Sequence, residues 1–233
     1  MARITRKELK SDKFALEVEH TVDFFGEHHN EILRYGGIAL AVIAIGVAVW
    51  LYRSHEKTVR QQALSHALEI EAAPVGQAPP AATLSFPTQE AKDKEAVKAF
   101  SELAVKYSGT DEGSIAEYYL GCMAADQGKL ADAEKRFQSV ADSGSKQYSS
   151  LAKLSLGQIY FSEGKIDQGE KLMRSLMEHP TIFVSKEQAT LALAKGLMTT
   201  KPAEARKLLE PLRAIRGPAS QAAIQAFAEL PPQ

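Results

Sequence analysis

The side chains best suited to bind a metal lie together just before a long apolar segment. His28 and His29 are adjacent and are flanked by Glu27 and Glu31. Neighbouring residues point to different faces of a helix, and no third ligand stands at a spacing that would complete a tetrahedral site. We interpret these side chains as polar residues at a membrane interface, and we expect neither a metal nor another cofactor.

The chain has one thiol, Cys122, that could act as a nucleophile. No histidine stands at helical spacing from it, so we expect Cys122 to pack as a small hydrophobic residue. A Gly-rich phosphate loop, GxSxG, HExxH and CxxC are also absent from the sequence. The sequence therefore predicts a protein without catalytic residues, which is not an enzyme.

Composition narrows the fold class and the kinds of partner. The 28 Lys and Arg residues nearly balance the 29 Asp and Glu residues, and this balance leaves no broad positive field to hold nucleic acid. The chain contains 35 alanines and few runs of β-branched or aromatic residues, which favours helix over strand. We predict an all-α protein that binds no nucleic acid.

A single segment is apolar enough to cross a membrane. Residues 35–52 carry no charge over 18 positions and lie between Arg34 and Arg53. As a helix they would span roughly 27 Å, close to the thickness of the hydrocarbon core of a bilayer. A cleaved signal peptide is the alternative, but the 34 preceding residues are long and balanced in charge, and no cleavage motif follows Trp50. We predict an uncleaved transmembrane anchor.

The orientation of this anchor depends on how the flanking charges are counted. The 34-residue tail carries six Lys or Arg residues against three in residues 53–72, which favours a cytoplasmic N-terminus. A window of about 20 residues on each side leaves only Arg34 before the span, which favours the reverse. Both orientations remain open from charge alone, and we favour export of the C-terminal part because long domains translocate largely regardless of charge.

The remaining chain divides by its pattern of apolar residues and prolines. In the tail, Phe14, Val18, Val22 and Phe25 follow one helical stripe, and four of the ten prolines lie in residues 74–87. We predict a cytoplasmic tail with an amphipathic helix at 1–34, the transmembrane helix at 35–52, a juxtamembrane helix at 53–73, a Pro/Ala-rich linker at 74–88, a repeat domain at 89–216, and a C-terminal helix and tail at 217–233.

The C-terminal half repeats itself with a period of 36 residues. Leu120-Gly121 recurs as Leu156-Gly157, and Gly128 recurs as Gly164. A third copy follows more loosely, with Thr200 where a glycine is expected. Repeats of this length indicate helix–turn–helix units that bury a continuous core by stacking.

These residues resemble the tetratricopeptide repeat. The second copy matches its pattern best, whereas Ala124 and Gly196 stand where an aromatic is expected. The resemblance implies an α-solenoid of helix–turn–helix repeats after the transmembrane helix. The residues expected to pack the repeats are Leu120, Gly121, Gly128, Ala133, Phe137, Leu156, Gly157, Tyr160, Gly164, Met173, Ala205 and Leu209.

Alignment to this motif also implies a partner-binding groove. The residues expected to face it are Tyr118, Cys122, Asp126, Leu154, Gln158, Phe161, Thr190 and Leu197. Most of them are uncharged, which suits an apolar or extended polypeptide better than a charged terminal carboxylate. Tyr118, Leu154 and Phe161 could instead pack against neighbouring helices.

The order of tail, anchor, juxtamembrane helix and repeats, with the run KYSGTDEGSIAEYYLG leading into the repeats, resembles the bacterial translocon-associated tetratricopeptide family. Members of that family are ancillary subunits of the Sec channel. The resemblance implies a cytoplasmic N-terminus, repeats in the periplasm, and partners that include Sec subunits, a membrane-anchored periplasmic chaperone and exported clients. The insertion at 74–87 departs from the compact linkage expected in that family.

The sequence thus predicts a single-pass inner-membrane scaffold that binds polypeptides or chaperones near the Sec channel. Its anchor would contact lipid through residues 35–52, and homo-oligomers remain open. An envelope-assembly protein, or a cytoplasmic adaptor with one dedicated partner, would use the same groove and is the alternative interpretation.

Overall fold

The computed structural model describes residues 29–76 and 83–230, with side chains from residue 33 onward. The described residues are helical apart from turns, loops and one isolated bridge, which confirms the all-α prediction. The amphipathic helix predicted in the tail, together with Glu27 and His28, lies outside the described residues. The helices are α1 His29–Ala72, α2 Gln89–Lys106, α3 Asp111–Asp126, α4 Leu130–Ser143, α5 Lys146–Ser162, α6 Ile166–Glu178, α7 Lys186–Leu197, α8 Pro202–Ala214 and α9 Pro218–Ala228.

Contacts divide the chain into two units, residues 1–58 and 59–233. In the first unit, α1 carries the apolar segment, and its large side chains are exposed, with Tyr35 at 71% and Trp50 at 67%. The most apolar 18-residue window of α1 is not buried against protein at any position. Helix α1 is therefore long and apolar enough to span a membrane, and its surface is one that water solvates poorly.

The second unit begins with a hairpin made by the end of α1 and by α2. Ala67 and Ile70 of α1 pack in one core with Phe100 and Leu103 of α2, and Leu120 of α3 adds to the same core. Phe100 is fully buried. A helical hairpin therefore precedes the repeats, with the Pro-rich segment as its connection.

The two ends of the Pro-rich segment are joined to each other. The amide of Gly76 donates to the carbonyl of Phe86 at 2.9 Å, and the amide of Phe86 donates to the carbonyl of Pro74 at 3.0 Å. Leu84 and Phe86 also pack against the core of the first hairpin. Residues 77–82, the middle of the predicted linker, lie outside the described residues, while the ends of this linker belong to the hairpin.

Three further hairpins follow, α3–α4, α5–α6 and α7–α8, and the first two turn in the same way. Gly128 and Gly164 both adopt φ of 73°, in the left-handed region that favours glycine. In each turn the amide of the next residue donates to the carbonyl five residues earlier, at 2.8 Å. The third turn has Thr200 without a positive φ, and Lys201 donates to Leu197 instead. The 36-residue period is thus a structural repeat of two identical turns and one variant.

Small and large residues at the 36-residue period let the two helices of a hairpin approach closely. Gly121 of α3 lies against the ring of Phe137, and Gly157 of α5 lies against Met173. A Cβ on Gly121 would collide with the Phe137 ring, and a Cβ on Gly157 would displace the terminal methyl of Met173, so in each hairpin the large residue fills the space that the glycine leaves. The buried residues among those expected to pack the repeats are Leu120, Gly121, Ala133, Phe137, Leu156, Gly157, Met173, Ala205 and Leu209, while Tyr160 is half-buried.

The first helices of the hairpins form a continuous layer. Helix α3 contacts α5, α5 contacts α7, and α7 contacts α9, whereas within the described residues the backbones of α4, α6 and α8 stay more than 8 Å apart and only long side chains reach across. Because the helices of the α3, α5 and α7 layer are closer together, this layer is the inner side of the stack.

Ion pairs on the outer side follow the same period. Lys165 Nζ lies 3.4 Å from a Glu134 oxygen, and Lys201 Nζ lies 2.8 Å from a Glu170 oxygen. In both pairs the lysine at the turn of one hairpin contacts the second helix of the preceding hairpin. Arg174 adds contacts of 2.6 Å to Glu170 and to Glu204. Electrostatic contacts therefore join successive hairpins at the same relative position.

Replacing the glycine of the second turn should destabilise the repeat domain. An alanine in Gly164→Ala must adopt a positive φ, which costs about 1 kcal/mol. We expect a lower urea midpoint in far-UV circular dichroism of the full chain in a nonionic detergent. Gln168→Ala, at an exposed position of α6, should leave the midpoint unchanged. Equal midpoints for Gly164→Ala and the wild type would contradict the assigned turn.

The carboxylate of Glu170 should make stability depend on pH. Hydrogen bonds from Lys201 and then from Arg174 lower the pKa of Glu170 below its usual value of 4.5. Since the folded pKa is depressed, the stabilisation is complete above pH 4.5 and is lost as pH falls through the folded pKa. Glu170→Gln should lower the free energy of unfolding by about 0.5 kcal/mol at neutral pH, because the pair is partly solvated.

This difference between Glu170→Gln and the wild type should shrink as the urea midpoint is measured at successively lower pH. Glu210→Gln removes an exposed carboxylate of α8 that forms no ion pair with another described residue, so it serves as the control and should show no such trend. A difference that persists unchanged through acid pH would exclude the charge of Glu170 as its source.

Candidate functional site

A cavity opens between the first helices of two successive hairpins, α3 and α5. Its volume is about 320 Å³. Cys122 and Asp126 of α3 face Gln158 of α5 across it, so three residues assigned to the groove from the sequence line one site. Ser155 and Ser162 add hydroxyl groups from α5. The cavity lies on the inner layer and offers mainly neutral hydrogen-bonding groups.

Other residues assigned to the groove have different positions. Leu197 is completely buried in the core formed by the last hairpins, so its side chain is not accessible to a partner, contrary to the groove assignment. Leu154 and Thr190 are each 7% exposed. The hydroxyl of Thr190 donates to the carbonyl of Lys186 at 2.7 Å, within its own helix. These three residues therefore contribute to packing rather than to an open surface.

Phe161 is half-buried and fills the space between hairpins. Its ring lies against Gly169 of α6 and Gly196 of α7, where a side chain on either glycine would collide with it. Gly196 is the position where the repeat motif expects an aromatic. The ring of Phe161 instead occupies the space beside Gly196, where α7 packs on the preceding hairpin.

Tyr118 belongs to a run of aromatic rings along the stack. Tyr118 and Tyr148 are in edge contact with ring centroids 5.6 Å apart, and Tyr148 meets Phe183 at 5.5 Å. On the other side, Tyr118 contacts Tyr119 at 5.9 Å, and Tyr119 stacks on Phe100 at 4.9 Å. Five rings from α2, α3, α5 and the α6–α7 connection thus form one continuous contact chain.

Most of these rings were missed by sequence reasoning. Tyr148 and Phe183 are 35 residues apart, so they do not follow the 36-residue register, and neither is a motif position. The adjacent tyrosines 118 and 119 were the one available signal. The chain of rings ends at an exposed apolar surface, because Ile182 is 84% exposed and Phe183 is 41% exposed.

Burial raises the pKa of two neighbouring groups of α3. It raises the pKa of Tyr118, and the neighbouring Cys122 raises that pKa further. Burial also raises the pKa of the Cys122 thiol, although a hydrogen bond with Tyr118 acts in the opposite direction. Cys122 therefore lines the cavity as a thiol at neutral pH, and this thiol is a poor nucleophile.

Metal binding finds no support in the part of the chain that the structure describes. No group of three or more His, Cys, Asp or Glu side chains there could hold a metal ion. The side chains of the His28 and His29 cluster lie outside that part.

The hairpin architecture and the inner cavity agree with the family of this chain. Residues 23–189 match the family model described as tetratricopeptide repeat-like domain. The match covers more than half of the chain, from before α1 into α7, and the chain belongs to this family. No match was found among the curated proteins or the solved structures compared with the chain.

Membership of this family gives the inner layer a general role. Domains of this kind are protein-interaction modules and are generally not catalytic. The open residues of the inner layer, Cys122, Asp126, Ser155 and Gln158, are therefore the candidate contacts to a protein partner.

Proposed function

We propose that this chain is a membrane-tethered scaffold that binds polypeptides on the inner layer of its repeat domain. The observation that carries the proposal is the open cavity between α3 and α5, built on a fold whose members bind proteins. The uncovered apolar surface of α1 supports the membrane tether, since lipid is the environment that such a surface favours.

The chemistry of the inner layer suits an extended segment. Gln158 and the nearby serines can exchange hydrogen bonds with a polypeptide backbone, which is the same in every client. Tyr148 and the exposed Phe183 and Ile182 can cover apolar side chains of the same segment. This combination recognises apolar, unfolded chain rather than one charged motif.

The proposed location is the periplasmic side of the bacterial inner membrane, at the Sec translocon. The resemblance to the translocon-associated family supports it, as does the count of six basic residues in the tail against three after the span. The partners would be Sec subunits, a periplasmic chaperone and exported clients. Tethering would raise the effective concentration of the inner layer near emerging chains, so weak contacts would suffice.

One observation favours a second candidate function. Within about 20 residues of the span, only Arg34 precedes it while three basic residues follow it, which favours a cytoplasmic repeat domain. In that orientation the chain would be an adaptor for one dedicated partner. An envelope-assembly role in the periplasm would also use the same inner layer for a single partner.

Photo-crosslinking from the cavity should capture the partners. A photoreactive residue at Gln158, which is exposed in the cavity, should form adducts in intact cells that mass spectrometry can identify. The same residue at Gln138, which is also exposed but lies on the outer helix α4, serves as the control and should give far fewer adducts. Sec subunits, periplasmic chaperones and many exported chains would support the proposed function and orientation together.

A different set of adducts would select another interpretation. One defined envelope protein or a cytoplasmic protein would replace the translocon role with a dedicated adaptor. Adducts of equal yield from Gln158 and Gln138 would contradict a partner-binding role for the inner layer. Gln158→Glu tests the cavity without crosslinking and is preferable to any change of Leu154, which is buried.

Charges in the middle of α1 should release the chain from membranes. Ile43→Arg combined with Val47→Arg places two guanidinium groups in the apolar window, at a cost of roughly 2.5–3.5 kcal/mol each. We expect the wild type in the membrane pellet after alkaline carbonate washing, and the double variant in the supernatant. Gln61→Arg with Gln62→Arg, at exposed positions outside that window, should remain in the pellet. Release of the wild type would contradict a membrane-spanning helix.

A further inference from the structure

A second cavity, of about 210 Å³, lies between the two helices of the α5–α6 hairpin. Lys146 and Lys153 of α5 line it together with His179, which directly follows α6. Ser149, Ser150, Ser175 and Thr181 supply hydroxyl groups around it, and its lining contains no carboxylate. None of these residues lines the cavity between α3 and α5, so this site is separate from the proposed polypeptide-binding surface.

The preceding hairpin contains the equivalent cavity with its charges balanced. That cavity, of about 360 Å³, is lined by Glu117, Asp132, Lys135, Arg136 and Ser139. Arg136 donates to Glu117 at 2.6 Å, so a guanidinium and a carboxylate neutralise each other there. Asp132 supplies a second carboxylate beside Lys135.

Residues 36 positions apart occupy corresponding places in the two cavities. Lys153 stands where the first cavity has Glu117, and Ser175 stands where it has Ser139. Leu172 replaces the ion-pairing Arg136. Where the first cavity has an internal ion pair, the second cavity therefore has a lysine without a counter-ion.

The two lysines have no ion pair within the described residues. No Asp or Glu oxygen there lies within 4.0 Å of the ammonium group of Lys146 or Lys153, although Lys153 is partly buried. The first turn of α5 contains no acidic residue, and Ser145 makes no side-chain cap. The positive end of the helix dipole therefore adds to the two ammonium charges.

The hydroxyl walls of the cavity are held in place. Ser149 donates to the carbonyl of Ala141 at 2.6 Å, and Ser150 donates to the carbonyl of Gln147 at 2.6 Å. Ser150 and Thr181 share a hydrogen bond of 2.8 Å, which ties α5 to the loop after α6. These three hydroxyl groups already have partners, so a ligand would meet the two ammonium groups, with the Ser175 hydroxyl and the His179 ring beside them.

We propose that this cavity binds a phosphate group. Two ammonium groups carry a charge of +2, and a phosphate carries about −1.5 to −2 with several acceptor oxygens, so one phosphate can neutralise both lysines. A carboxylate can neutralise only one of them. The site would stabilise the hairpin whenever a phosphate occupies it, because the ligand binds the folded chain alone.

Thermal unfolding of the purified full chain in a nonionic detergent tests the proposal. Inorganic phosphate should raise the unfolding temperature above that in chloride of equal ionic strength. Lys146→Gln combined with Lys153→Gln should weaken phosphate binding about tenfold or more, because two charged contacts are lost. Lys146→Arg with Lys153→Arg keeps both charges and should retain the stabilisation.

The matched control is Lys135→Gln with Lys171→Gln, which removes two lysines that line other cavities. This variant should respond to phosphate like the wild type. Circular dichroism in chloride verifies that each variant is folded before phosphate is added. Phosphate that fails to stabilise the wild type, or that stabilises the double glutamine variant equally, would overturn the proposal. Acetate that stabilises the wild type as much as phosphate would overturn the choice of ligand.

Two probes distinguish a soluble phosphate from a lipid headgroup. Inorganic phosphate represents the first source, and a short-chain phosphatidic acid below its micellar concentration represents the second. Tighter binding of the lipid probe, lost in the double glutamine variant, would assign the site to a headgroup. Tighter binding of inorganic phosphate would assign it to a soluble ligand. Either result leaves the crosslinks from Gln158 unaffected. The phosphate site and the polypeptide-binding surface can therefore be tested independently of each other.

Discussion

A hairpin of this repeat domain can bury its apolar side only against the next hairpin. Three buried clusters follow one another along the stack: the first joins the end of α1 to α2 and α3, the second centres on α4 and α5, and the third extends from α5 to α9. Helix α9 buries Ala223 and Ala226 on one side and leaves Ile224 exposed on the other. Each cluster depends on neighbours from two hairpins, so the stability of the stack is a sum of shared interfaces.

The inner and outer layers of the stack differ in their chemistry. The outer side carries charged contacts that recur with the repeat, as between Lys165 and Glu134 and between Lys201 and Glu170. The inner cavity instead presents mainly hydroxyl, thiol and amide groups, with Asp126 as its one carboxylate. This division lets the outer side fix the spacing of the hairpins while the inner side stays free to contact varied polypeptides, which is consistent with a scaffold that selects by backbone and apolar surface.

The fold could be predicted from the sequence because the 36-residue period reflects contacts that recur between the helices. Gly121 and Gly157 mark close approaches of two helices, and the turn glycines mark a positive φ, so the hairpins and their turns followed from them. The inner surface was harder to predict, because a motif position specifies a helix face and not the distance to the next helix. Leu197 is buried in the core of the last hairpins, next to Gly196, on which the Phe161 ring packs, and the run of aromatic rings joins residues outside the repeat register.

The backbone hydrogen bonds that join Pro74 and Gly76 to Phe86 hold together the two ends of the connection in the first hairpin. Because the chain is closed at this point, the number of residues between 76 and 86 does not set how α1 and α2 pack. Loop length adds only a slowly growing entropy cost once the ends are fixed. This connection is therefore where related chains can gain or lose residues, and diverge in sequence, without altering the core that the repeats are stacked upon.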